Sequence, residues 1–367
     1  MDNSKGKVKA INVLRLAGVC AAGGIGCGFA TGQEVMQFFS AQGIMSIAGT
    51  VISTIFFAWM GAMFLKHGHI HRLDTPIRTF EFYYGKRLGK FIELLTQLLI
   101  FGIYVIMVSG GSAILYQCFG ISQVIGRTIL VVLGFLTVSL GLAKFMDLIS
   151  FIGTALALIT VLFGIVSFIP KAPQLLEIAK QATELDITKT QGGWLWSSIL
   201  YPSFNSLALI ILCCRIGCEA NSEKEAVLGG SLGGLLFGLA IFAQNLGLLS
   251  NLPQIFAADI PTVALVEGIS PVLGIVLAVT IFIGIYSASI PMLWSIGAHF
   301  AEDRTPKFIV ITLVLSVLTY ILGSVSNFKS LINTIYPFSG YFALTLLVLI
   351  AVREYQDRKG KRKAAQN

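Results

Sequence analysis

An all-α membrane protein of ten transmembrane helices is the fold class that this sequence predicts, and three observations predict it. The 367 residues are 55% hydrophobic and only 12% charged, about half the charged share of a soluble domain. One globule cannot hide that much apolar surface, so lipid must solvate much of it. Apolar runs recur ten times, each matching the roughly 20 helical residues that cross a hydrocarbon core of about 30 Å. None of them shows the dyad alternation of a transmembrane barrel, which leaves helices as the way to satisfy backbone polar groups in lipid.

The runs fall at about 12–40, 43–65, 91–116, 126–143 and 146–169, then at about 194–215, 225–250, 270–298, 308–324 and 330–352. The first starts after Lys5, Lys7 and Lys9, a pattern that imitates a signal peptide. It continues through a glycine cluster without an A-x-A-like cleavage site, and Val19 precedes Cys20 where a lipoprotein site wants a small residue. It therefore reads as a retained first span. Between the second and third runs, Thr75–Lys90 is short and amphipathic and suits the membrane surface. Just before it, His67, His69 and His71 alternate in KHGHIHR. Alternate spacing on a loop rarely closes a coordination sphere, so this segment reads as a polar interfacial connector. The six cysteines lie mostly inside apolar runs and form no CxxC pair, which gives metal and redox readings little support.

Lysine and arginine set the orientation. With the N-terminus inside, only Arg127, Lys171, Lys180, Lys189 and Lys329 of the 26 basic residues fall outside. The positive-inside rule then places both termini in the cytoplasm, across a bacterial inner membrane, with an even number of spans. The net charge of +8 is scattered over membrane flanks, and nothing resembles a nucleic-acid module. The tail 353–367 is basic, suited to anionic membrane lipid or to fixing topology.

Five runs (12–169) precede a polar linker loop (170–193) and five (194–352) follow it, in one transmembrane domain. An odd number per half forces the second half into the membrane in the opposite sense, the arithmetic of an inverted repeat. Each half also opens on an interrupted helix. The first run contains CAAGGIGCGFATGQE, and each glycine there lowers helix propensity by about 1 kcal/mol relative to alanine. The sixth contains LYPSFNS, where Pro202 removes a helix hydrogen bond that Ser203, Asn205 and Ser206 could replace. Interrupted helices at equivalent places in two halves point to a midplane binding site. Helix ends near Gly23–Gly24 would offer carbonyls to an ammonium or Na⁺, and those near Phe29–Thr31 would offer N–H groups to a carboxylate. Glycine-mediated packing and a simple proline kink are the structural alternatives.

Glu34 lies beyond the first break, still inside the apolar run and with no basic partner at that depth. Such a carboxyl is expensive, and it could carry a proton, hold a cation, face a substrate amine or bond the backbone of span six. In span eight, Ser287 and Ser289 beside Tyr286 could join carbonyls of span one around Na⁺, or bond their own helix. Tyr104 in span three needs a hydroxyl partner if buried.

The run GGIGCGFATGQEVMQFF resembles the first-helix signature of a bacterial family of amino-acid permeases in the amino acid–polyamine–organocation superfamily. LYPSFNS and DIPTVALVEGISP fit the same layout. The resemblance implies a LeuT-type fold of two inverted five-helix repeats with helices one and six discontinuous, and a site between spans one, three, six and eight. It points to Gly24, Gly26 and Gly28 as backbone contacts and to Ser203 and Asn205 in an unwound span six. It makes Pro253–Glu267 an outer lid. Two departures leave H⁺ and Na⁺ both open: no lysine lies between Lys144 and Lys171, and the Ser287/Ser289 pair skips a residue.

The expected function is secondary transport of a small amino acid or related amine by alternating access, coupled to H⁺ or Na⁺. Substrate contacts are expected at Gly24, Gly26, Gly28, Thr31, Tyr104, Tyr201, Ser203 and Asn205, and ion coupling at Gly23, Glu34, Ser287 and Ser289. The alternative is a receptor of the same fold that senses the ligand without transporting it. No Walker A sequence, HExxH motif or acidic dyad within the spans supports ATP drive or an enzyme, and no cofactor beyond the coupling ion is expected.

Overall fold

The computed structural model describes residues 8–140, 158–182 and 185–366, with side chains to residue 359. The expected start of the fifth span, together with Lys5, Lys7, Lys144 and Glu184, lies outside the described residues. The first run forms α1 (Ala10–Gly23), α2 (Cys27–Thr31) and α3 (Gln33–Phe38). Next come α4 (Ser46–His71), α5 (Pro76–Tyr84), α6 (Lys86–Phe119), α7 (Gln123–Leu140) and α8 (Leu158–Gln181). The second half comprises α9 (Gly193–Gly217), α10 (Glu223–Ser250), two short helices α11 (Leu252–Ile255) and α12 (Pro261–Glu267), α13 (Pro271–Phe300), α14 (Pro306–Val325) and α15 (Phe328–Gln366).

Among the described residues, nine helices are long and apolar enough to cross a membrane. The first expected span is not one of them, because it is divided into three pieces. Several boundaries differ from expectation. The linker's first half is helical, since α8 continues to Gln181 through a 3₁₀ stretch at Ile169–Gln174. The tail is not a free segment but the continuation of α15. The three histidines lie on the last turns of α4, with His67 and His69 buried.

Close backbone approach organises the centre. α4 packs against both α9 and α10, and α1 lies along α10. Where α4 crosses α10, a Cβ at Gly230 would sit 2.1 Å from the Gly61 carbonyl oxygen, and one at Gly234 would sit 2.1 Å from that of Phe57. Only small residues let helices approach this closely in lipid. Around this centre, α7, α13 and α14 turn large apolar side chains such as Leu133, Val272 and Val317 outward. Water would make these faces costly; lipid makes them neutral.

Charge is segregated to the two ends of the bundle. At one end the Lys9 N–H donates to Glu225 (3.0 Å), Arg15 pairs with Glu219, and Lys66 bonds both oxygens of Glu354 at 2.8 and 2.6 Å. His67 bonds the Tyr83 hydroxyl there (2.7 Å) and His71 bonds Asp357 (3.0 Å), tying α4 to α5 and α15. At the other end the Thr190 N–H donates to the Gln37 carbonyl (3.1 Å), and Lys329 donates to that of Ala257 (2.7 Å).

Candidate substrate and ion site

The interruption of the first span is built by three glycines in different conformations. Gly24 caps α1 near the helical region, with φ −82° and ψ −12°. Gly26 is extended, with φ −104° and ψ −177°, and opens α2. Gly32, at φ +80°, both ends α2 and starts α3, a left-handed position that glycine occupies without strain. A side chain on Gly32 would also meet Thr262 Oγ1 at 2.4 Å, because α12 packs over this turn. Gln244 from α10 closes the gap, donating to the Phe29 carbonyl at 2.8 Å and to Thr262 Oγ1 at 3.1 Å.

Glu34 sits at the focus of this arrangement and is 3% exposed. Tyr201 Oη of α9 donates to its Oε2 at 3.0 Å. Gly28 makes room for it, since a Cβ there would lie 2.1 Å from Glu34 Oε1. Aromatic rings surround the group. Tyr201 meets Phe38, Phe39 and Phe204 edge-on with centroids 5.1–5.2 Å apart, and Phe204 stacks on Tyr336 at 4.6 Å. No basic side chain pairs with Glu34 among the described residues. A carboxyl held by a tyrosine hydroxyl inside an apolar shell is suited to exchanging a proton or receiving a cation.

The structure gathers Gly28, Thr31, Glu34 and Tyr201 into one cluster, with Thr31 Oγ1 donating to the Gly28 carbonyl at 3.1 Å. Ser203 and Asn205 lie on the following turn of α9, but their side chains serve the helix itself. Ser203 donates to the Ile199 carbonyl (2.6 Å) and Asn205 to that of Tyr201 (3.0 Å). The expected break in span six is absent, and α9 is one helix across Pro202. The carbonyl that Pro202 cannot reach, that of Ser198, accepts from Ser53 of α4 at 2.7 Å. A neighbouring helix thus supplies the missing donor, and the chain has no need to unwind.

Other expected residues stand apart. Gly23 and Gly24 are packed, a Cβ at the first meeting Leu212 at 2.4 Å and at the second the Phe237 ring at 2.5 Å. Gly26 is nearly open, with only Met107 Cε at 3.5 Å. α13 does pass beside α2, yet Ser287 donates to the Ile283 carbonyl (2.7 Å) and Ser289 to that of Tyr286 (2.8 Å). Tyr104 belongs to a separate apolar cluster with Val108, Leu130 and Leu293, away from Glu34. A cavity of about 480 Å³ opens beside the break, but its walls, including Ala22, Ile25, Val161 and Phe237, offer no side chain to orient a zwitterion. Sequence reasoning missed Tyr336 and Thr262 and gave Gln244 no transport role.

The bundle of apolar helices, broken in its first span, has a LeuT-like fold. Solved structures bear this out at the level of fold. A manganese transporter of Eremococcus coleocola superposes with a TM-score of 0.57 at 18% identity, over 95% of this chain and 81% of that one. The inward-facing conformation of Mhp1 gives 0.57 at 15% identity, over 94% and 76%. In sequence, the uncharacterized membrane protein YkvI of Bacillus subtilis is 25% identical over 98% of this chain and 99% of its own length. YyaD of the same organism is 25% identical over 89% and 92%. No family model matches.

Proposed function

We propose that this protein is a secondary transporter of the bacterial cytoplasmic membrane, which carries a small amino acid or related amine by alternating access with H⁺ or Na⁺. The observation that carries the reading is the buried Glu34 carboxyl, seated against Gly28 at a helix break and bonded by Tyr201 rather than by a basic residue. A carboxyl without a fixed counter-charge changes its proton or cation content at modest cost, which a coupled cycle requires. The transporter fold of the structural neighbours supports it. In this reading α1–α3 and the nine long helices make ten crossings in two inverted repeats, both termini are cytoplasmic, and α11–α12 form the outer cover.

The test is uptake by proteoliposomes of labelled amino acids and amines under imposed H⁺ and Na⁺ gradients. Accumulation against a concentration gradient is expected, and Glu34→Gln should abolish it while leaving a folded protein. Ligand binding with no gradient-driven accumulation would replace transport by the receptor reading.

A further inference from the structure

The last turns of α4 and the far end of α15 meet in a cluster of ionisable side chains that takes no part in the Glu34 site. One carboxylate of this cluster is fixed by permanent charges. Glu354 accepts from Lys66 of α4 at 2.8 and 2.6 Å and from Arg358 of its own helix at 2.7 Å. Asp357, on the next turn, is different. Among the described residues no lysine or arginine pairs with it, and the cationic side chains that reach it are two imidazoles of α4. His71 Nε2 donates to Asp357 Oδ2 at 3.0 Å, while His67 Nε2 lies 4.0 Å away and makes no hydrogen bond. His67 is fully buried and bonded through Nδ1 to the Tyr83 hydroxyl at 2.7 Å. His71 keeps 30% of its side chain exposed, so it is the imidazole that protons from solvent reach.

The surroundings of His71 can accept a charge. Asp357 attracts a proton on it, and the Phe82 ring of α5 packs against the imidazole with centroids 4.4 Å apart. Arg353 of α15, which shares the Phe82 ring, and Lys66 and His67 of α4 oppose that charge, with Lys66 offset by Glu354. Besides Phe82, α5 presents the Tyr83 hydroxyl to the cluster. We propose that the end of α15 is a proton-sensed strap across the face of the bundle that carries both termini. When His71 takes up a proton, its bond to Asp357 becomes an ion pair and the strap closes; when His71 loses the proton, the strap loosens. A hydrogen bond between charged groups is about twice as strong as a neutral one, and imidazole changes charge between about pH 5 and 8. Docking therefore tightens as pH falls through that window and weakens as it rises. α4 is locked to α9 and α10 through close glycine contacts, whereas α5 packs on α6, and α15 touches both α4 and α5. A closed strap thus resists relative motion of the two groups of helices. Its effect on turnover rests on the transport reading, but the docking itself does not.

The test is amide hydrogen exchange of the full chain in lipid nanodiscs at about pH 6 and pH 8, read over residues 353–359 and corrected for the pH dependence of free-amide exchange. Protection in the wild type is expected to rise about fivefold on acidification, the scale of a half-exposed ion pair. His71→Gln keeps a donor for Asp357 but cannot charge, so its protection should be the same at both pH values. Asp357→Asn, an independent variant, should flatten the response as well. Residues 340–350 of the same helix should not respond in any of the three proteins, which separates docking from general loosening. Wild-type protection that does not change with pH, or a rise that survives His71→Gln, overturns the proposal. In proteoliposomes with equal pH on both sides, wild-type uptake relative to His71→Gln should fall on acidification. A constant ratio would overturn the restraint on helix motion, whereas pH-dependent docking without uptake by either protein would count against the transport reading alone.

Discussion

Gly28→Ala probes the geometry around Glu34 with a single methyl group. The added Cβ would lie 2.1 Å from Glu34 Oε1, 2.3 Å from its Cγ and 2.5 Å from its Cδ. All three distances are below any real Cβ contact, so the carboxyl must leave its place. Overpacking of a filled core costs about 1–3 kcal/mol, and losing the Tyr201 bond to a carboxyl about 1.5–3 kcal/mol. Alanine's better helix propensity within α2 returns about 1 kcal/mol. The net is destabilisation of about 3 kcal/mol, roughly a hundredfold in the folding equilibrium. Gly26→Ala, two residues earlier, is the control. Its new methyl group meets only Met107 Cε at 3.5 Å, and its extended backbone accepts any residue, so its change should stay within about 0.5 kcal/mol. Thermal unfolding of both variants in nanodiscs, read beside proteoliposome uptake, checks the pair. Wild-type stability and uptake in Gly28→Ala, or equal destabilisation by both substitutions, would refute the placement of Glu34 against Gly28.

Three further substitutions test the surrounding structure. Tyr201→Phe removes the hydroxyl at 3.0 Å from Glu34 and should lower stability by about 1.5–3 kcal/mol; a melting temperature equal to wild type would show that the bond is not formed. Ser53→Ala orphans the Ser198 carbonyl next to Pro202, with an expected loss of about 1–3 kcal/mol in chemical or thermal unfolding. Glu354→Gln leaves Lys66, its side chain 10% exposed, with Glu223 at 3.6 Å as its remaining carboxylate. A loss of about 3 kcal/mol is expected, and Lys66→Met combined with Glu354→Leu should recover most of it. A double variant no more stable than Glu354→Gln would argue against the weakened pairing of Lys66 as the cause.

The first span was readable because its cause is local. Glycines at 23, 24, 26, 28 and 32 weaken the helix whatever surrounds them, and the structure breaks it there. Glu34 was readable too, since a carboxyl in an apolar run is unusual in any context. The sixth span shows the opposite situation. Pro202 weakens its helix just as locally, but Ser53, far away in the chain, supplies the donor that keeps it whole. Likewise, Ser287 and Ser289 could have faced an ion or their own helix, and only the rotamers in the packed bundle chose the latter.

Hydropathy and the lysine and arginine pattern were enough for the class of protein, its helical make-up and the segregation of charge to two ends. These depend on composition within a window of about 20 residues, the length over which lipid selects a segment. The hydrogen-bond partner of Glu34, Tyr201, comes from α9, 167 residues away. Pairings of that kind arise only when helices approach, and the approach is governed by small residues such as Gly61 and Gly230 meeting across an interface. The histidines of α4 show the same rule, because a polar loop in the sequence became buried helix once α5 and α15 closed over it. Local chemistry therefore specified where the first helix would break, and packing among distant helices decided which side chains meet there.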